Sequence, residues 1–210
     1  MTAPAALKRL GRPILRLLGL RPPDYKARVR HGEVCMDNVE IHGLVRALGL
    51  LDRPLDRVVE IGSYCGGSTV VIATTARRLN PRVRVFAVEP FAATGDRYQK
   101  DYESLFDRNV ADWAVTDTIV KVRQMSHDAA KTWKDPIDFL YVDGDHEYDG
   151  VVADIRAFVP FVRVGGIVAF HDYKPGKPGV PRAVDELVAP YHTKLFQAGS
   201  LAVFRMERRA

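Results

Sequence analysis

Two short stretches hold side chains able to do chemistry: "VDGDHEYDG" at 142–150 and "AFHDY" at 169–173. Each continues an apolar run that reads as a buried strand, so Asp143, Asp145 and His146 end one strand and His171 and Asp172 end another. Carboxylates and imidazoles gathered at one rim suit removal of a proton from a weakly acidic hydroxyl. A divalent cation held by the carboxylates lowers the hydroxyl's pKa, and a nearby imidazole takes the proton. Oxygen donors favour Mg²⁺. A plainer reading stays open beside this one, because Asp at strand ends commonly caps a helix and a single His after an apolar run is often a satisfied core residue.

A second stretch, "VVEIGSYCGGSTVVIA" at 58–73, runs from strand to helix through a turn with three glycines. No lysine follows the glycines, which excludes a P-loop, and the spacing GxxxGG departs from the dinucleotide pattern GxGxxG. Gly62 allows a tight reversal, while Gly66 opens the helix N-terminus to a ligand. Glu60 would repel a pyrophosphate but can pair with an ammonium; a salt bridge to Arg57 or Arg84 is the alternative. Glu89 closes the following strand, where a carboxylate accepts hydrogen bonds from ribose hydroxyls. Anionic partners for an ammonium and a ribose, without a phosphate lysine, describe S-adenosylmethionine. Cys65, in the same turn, has no basic neighbour in sequence and reads as small and inert.

The elements that must position these residues alternate. Asp37 or Asn38 caps a helix with Val39, Ile41, Leu44, Val45 and Leu48 on its apolar face, closed by Gly49. Strands are expected in "DRVVEIG", "RVRVFAVEP", "TIVKVRQ", "IDFLYVDGD" and "GGIVAFHDY", and helices in "GSTVVIATTARRLN", about 101–114, "DGVVADIRAFVPFV" and "GVPRAVDELVAPY". "KLFQAGSLAVFRM" reads as a closing hairpin. Strands separated by helices imply a mostly parallel sheet covered on both faces, with ligands beyond the carboxyl ends of its strands.

Composition sets the outer bounds. At 210 residues, 47% hydrophobic and 27% charged, one globular domain is expected. The net charge of +5 is spread along the chain and does not suggest nucleic acid as a partner. Cys35 and Cys65 show neither zinc nor disulfide spacing, and a reducing cytoplasm fits. Arg12 and Arg16 interrupt the apolar residues of the first turns, so residues 1–24 read as a basic arm rather than a signal peptide or membrane span. That arm packs on its own domain or a second subunit, or lies on an anionic membrane surface. Residues 25–210 form the domain.

The chain resembles the class I S-adenosylmethionine-dependent methyltransferases in "VEIGSYCGGS", "FAVEP", "DFLYVDGDHEYDGVVADI", "VRVGGIVAFHDY" and "GVPRAVDEL". "VDGDH" and "HDY" place the likeness nearer the metal-dependent sugar O-methyltransferases, such as those of macrolide deoxysugars and of the mycobacterial methylmannose polysaccharide. The resemblance implies an α/β, doubly wound, mostly parallel seven-stranded sheet, Rossmann-like, with a C-terminal antiparallel hairpin. It implies a metal set of Asp143, His171 and Asp172, in which His171 departs from the family's acidic pair and leaves open Mn²⁺ or a softer ion, or a site using Asp172 without His171. His146 matches the catalytic histidine of the macrolide sugar branch, with Asp143 as its catalytic partner. The expected cofactor contacts are Glu60, Gly62, Ser63, Tyr64, Gly66, Ser68 and Glu89, with Ser126 or His127 at the adenine. Residues 91–115 suit a cover over the acceptor or, equally, a plain surface helix, and Tyr98, Tyr148 and Tyr173 suit stacking on a sugar. The expected partners are a small carbohydrate acceptor and a second copy of the chain. A nicotinamide-dependent oxidoreductase and a catalytically silent partner subunit are the competing readings.

Overall fold

The computed structural model describes residues 35–92 and 101–207. The basic arm, Tyr98 and residues 93–100 of the expected cover lie outside these.

Among the described residues, seven strands form one sheet in the order β3-β2-β1-β4-β5-β7-β6. They are β1 (Arg57–Ile61), β2 (Arg84–Val88), β3 (Ile119–Val122), β4 (Ile137–Val142), β5 (Val162–Phe170), β6 (Thr193–Ala198) and β7 (Leu201–Arg205). Strands β1 to β5 pair in parallel, and β7 runs antiparallel to both β5 and β6. The expected doubly wound sheet and closing hairpin are therefore both present.

Each face of the sheet is buried under helices, as continuous Val, Ile and Phe runs require. Helices α1 (Asn38–Leu48), α2 (Gly67–Leu79) and α3 (Tyr102–Asp112) cover one face, packing with Val58, Phe139 and Ala169. Helices α4 (Ser126–Thr132), α5 (Tyr148–Phe158) and α6 (Gly179–Leu187) cover the other, with Val59, Leu140 and Phe170. The sequence reading missed α4, which at seven residues is too short to show helical periodicity. Among the described residues no helix is long and apolar enough to cross a membrane.

Helix α1 departs from its expected face. Asp37 caps it in a reciprocal capping box with Glu40. Val39, expected inside, is 56% exposed, while Glu40 is only 6% exposed. The phase explains the exchange: Glu40 lies four residues before Leu44 and eight before Leu48, so it shares their stripe and Val39 does not.

Register aligns the strand ends. The Gly62 N–H donates to the Val88 carbonyl, Glu89 to Val122, Asp143 to Ile61 and His171 to Val142, at 2.9–3.1 Å. Gly62, Glu89, Asp143 and His171 thus begin their turns at one level, along the carboxyl rim.

Candidate active site

The turns after β1 and β4 touch. Gly62 has φ +84°, and a Cβ there would lie 2.1 Å from the Asp143 carbonyl oxygen. Glycine is required for both reasons. Beneath this turn, Glu60 is fully buried and its carboxylate accepts from the hydroxyls of Ser63, Ser68 and Thr69. Burial pushes Glu60 up to about 7, with the three hydroxyls working against that and the Asp143 charge adding to it. The alternative ion pair with Arg57 is not made: Arg57 turns to Asp135 and the Pro136 carbonyl. Glu60 lines neither of the cavities described next; it braces the turn from below.

One cavity, of about 470 Å³, is bordered by Tyr64, Glu89, Tyr102, Ser126, His127 and Asp154. The carboxylate of Glu89 accepts from the Tyr64 N–H at 3.0 Å and from the Tyr102 hydroxyl at 3.1 Å. Tyr64 has φ +44°, and its ring lies 5.3 Å from that of Tyr102. Ser126 is buried and donates to Asp154, whose carboxyl burial pushes up to about 6, against the pull of the Ser126 hydroxyl. His127 stands more exposed at the edge, 3.3 Å from Asp128. Sequence reading missed Tyr102 and Asp154. Tyr102 lay within a segment read as a cover or a surface helix, and Asp154 is one acid inside a helix marked by its apolar face.

A second cavity, of about 370 Å³, opens on the other side of Gly62 and Tyr64. Met36, Ser63, Ser68, His171, Asp172 and Lys177 border it, and it shares Asp143, Gly144 and His146 with the first. Gly66 has φ +83° at the N-cap of α2 but lines neither cavity; a Cβ there would meet Phe106 at 2.9 Å, so its role is helix packing. Tyr148 and Tyr173 are engaged elsewhere, with Glu186 and Asp185 respectively.

At the shared wall, His146 Nε2 lies 2.9 Å from Asp172 Oδ2 and 3.8 Å from Asp143 Oδ1. The Asp143 and Asp172 carboxylates push His146 up to about 9. Asp143 also accepts from the Tyr141 hydroxyl at 3.2 Å and contacts His171 Nδ1 at 3.0 Å. Burial alone would raise Asp143, but hydrogen bonds from His146 and His171 hold it below its ordinary value. Asp172, at φ +53°, is held low first by His146 and then by Lys174, whose Nζ is 2.6 Å away.

The donor set for a cation differs from the expected one. Asp143, His146 and Asp172 each offer a ligand atom within 4.8 Å of one another. His171 stands behind them, 5% exposed, with Nδ1 facing Asp143 and Nε2 3.4 Å from Glu40. Its Nδ1 also stands 3.9 Å from Asp172 Oδ2, so the ring faces carboxylates on both sides without belonging to that donor set. Burial opposes its charged form, but Asp143, Asp172 and Glu40 outweigh it and raise His171 to about 9.

A parallel sheet whose order reverses between β1 and β4, with a ligand-sized crevice at that point, defines a nucleotide-type cofactor-binding α/β protein. Residues 59–173 match the family model described as a methyltransferase domain, and the chain belongs to that family. An uncharacterized protein of Acanthamoeba polyphaga mimivirus is 27% identical over 157 residues, 71% of this chain and 64% of its own length. The match therefore spans less than two thirds of that relative. Among solved structures, the O-methyltransferase NovP is similar with TM-score 0.69 and 17% identity, over 97% of this chain and 98% of its own. An O-methyltransferase from Bacillus cereus in complex with SAH gives TM-score 0.61 and 16% identity, over 98% and 92%. A TDP-rhamnose 3'-O-methyltransferase of calicheamicin biosynthesis gives 0.59 and 20%, over 98% and 96%. At these identities the likeness establishes the shared fold.

Proposed function

We propose that the chain transfers the methyl group of S-adenosylmethionine to a hydroxyl of a small acceptor, a sugar or oligosaccharide, with help from a divalent cation. The observation that carries this reading is the junction of two cavities at Gly62, Asp143 and His146. A cofactor in the first cavity, its ribose at Glu89 and its adenine near Ser126 and His127, would present its methyl group at that junction. An acceptor in the second would present a hydroxyl from the opposite side. The smaller cavity suits a sugar rather than a macromolecule, and a neighbour in fold acts on TDP-rhamnose.

Two carboxylates within 4.8 Å of each other are donors for Mg²⁺ or Mn²⁺, and the imidazole beside them is left for the proton. Asp143 and Asp172 would hold the ion, which when bound supplies positive charge to stabilise a developing alkoxide. The chain's own residues orient the acceptor and move its proton. Asp172 and Asp143 aim His146 Nε2 into the shared space, where it can take the hydroxyl proton. His146 must be neutral to take that proton, so turnover rises with pH as His146 loses its own.

The test is a methyl-transfer screen over a panel of sugars and phenols with Mg²⁺, repeated in EDTA. Transfer to a sugar that EDTA abolishes is the expected result. Full turnover in EDTA would remove the cation from this reading, and transfer to phenols alone would remove the sugar.

A further inference from the structure

Beneath the rim, the hydrogen-bond network runs on to a residue outside both cavities. Glu40, on α1, accepts from the Asp37 N–H at 2.8 Å, from the Ser200 N–H at 2.8 Å and from the Ser200 hydroxyl, and faces His171 Nε2 at 3.4 Å. Only the first of these belongs to the capping box of its own helix. The others tie it to β5 and to the turn between β6 and β7. That turn closes directly on the side chain: a Cβ on Gly199 would lie 2.8 Å from Glu40 Cγ. A buried carboxylate is costly unless its bonds are made, and an apolar residue would continue the α1 stripe without that cost. The bonds Glu40 makes lead to the site by two routes. Through His171 it fixes the ring whose Nδ1 contacts Asp143 Oδ1 at 3.0 Å. Through Ser200, whose carbonyl accepts the Tyr173 N–H at 2.8 Å, it anchors the chain one residue beyond Asp172. Asp172 has φ +53°, a conformation a non-glycine residue keeps only when its surroundings hold it.

We infer that Glu40 is a positioning residue: it holds Asp143 and Asp172 in the mutual arrangement that lets both face His146. Its effect on turnover rests on the methyl-transfer reading, whereas its effect on the His146 ring does not. Glu40→Gln keeps the shape and an acceptor for Ser200 but replaces Oε2, which faces His171 and accepts the Asp37 N–H, with an amide. Leu48→Ala is the comparison, since it empties a buried position at the far end of the same helix and touches none of this network. The full chain, labelled with ¹⁵N-histidine, is measured at one pH by ring-nitrogen NMR, with the His146 signals identified by their loss in His146→Gln.

Glu40→Gln is expected to displace the His146 signals and to lower turnover about 10- to 100-fold, the range for losing a group that orients site ligands. The dissociation constant for S-adenosylhomocysteine should stay the same. Leu48→Ala should lower the unfolding midpoint and leave the His146 signals in place. Should Glu40→Gln fail to fold, Ser200→Ala, which removes one hydroxyl donor from Glu40, is compared in the same way. His146 signals that do not move in the Glu40 network variant, or that move equally in Leu48→Ala, overturn the inference. Displaced signals in a chain whose wild type methylates no acceptor would defeat the proposed function and leave the positioning role standing.

Discussion

Replacing Glu60 by Gln should change how stability depends on pH. In the folded chain burial lifts Glu60 from 4.5 to about 7, although Ser68, Thr69 and Ser63 donate to it. Between those values the native state keeps a proton that the unfolded chain has already lost. Stability therefore falls as pH rises, the Glu60 contribution being fully present below 4.5 and gone above about 7. At about 1.4 kcal/mol per pH unit, that interval is worth at most about 3 kcal/mol. Gln does not titrate; its one carbonyl oxygen can replace the oxygen that accepts from Ser63 and Thr69, while its amide then faces the Ser68 hydroxyl. Urea unfolding of wild type and Glu60→Gln at intervals from pH 4.5 to 8, followed by circular dichroism, isolates this group because titrations elsewhere cancel in the difference. The variant should gain on the wild type steadily across that range, by up to about 3 kcal/mol. Parallel stability curves would refute the reasoning and mean that the hydroxyls keep Glu60 ionised at its ordinary value.

Glu89→Ala should weaken binding of S-adenosylmethionine by up to about 1.5–3 kcal/mol for each hydrogen bond lost to the charged acceptor; unchanged affinity by calorimetry removes the ribose assignment. His146→Ala should lower turnover by about 10² to 10⁴ with cation content unaltered, and should abolish the rise of rate with pH. Recovery of rate on adding cation would instead make His146 a ligand. Gly62→Ala places a methyl group 2.1 Å from the Asp143 carbonyl at φ +84°. The backbone conformation alone costs about 1–2 kcal/mol, so unfolding midpoint and turnover should fall together, and a variant that keeps both would contradict the contact described between the two turns.

Most of the sheet was legible because its strands are continuous apolar runs, and such runs are what burial on both faces demands. The rim was legible for a related reason: Glu89, Asp143 and His171 are the first residues after those runs, and parallel register brings run ends to one level. What sequence could not supply is which way a side chain turns once there. His146 and His171 look alike as polar residues after a strand, yet His146 lines both cavities while His171 borders only the smaller one and reaches back to Glu40 on α1. Glu60 read as a cofactor ligand because the turn beside it did; its depth below the turn depends on three hydroxyls folding over it. Glu40 was hidden by its type, since a charge on a helix is read as solvated until the phase of the apolar stripe is followed through it.

The contact between Gly62 and the Asp143 carbonyl also bears on how the acceptor range of such a chain could be altered. The turn proposed to serve the methyl donor and the turn proposed to serve proton removal are wedged together without an intervening side chain, so neither can be remodelled alone. Met36 and Lys177 belong to a different wall of the smaller cavity, on segments that do not border the larger one. Libraries aimed at new acceptors should diversify the segments around Met36 and Lys177 and leave the Gly62–Asp143 wedge untouched. New acceptor shapes can then be explored there while donor binding and proton transfer keep their common frame.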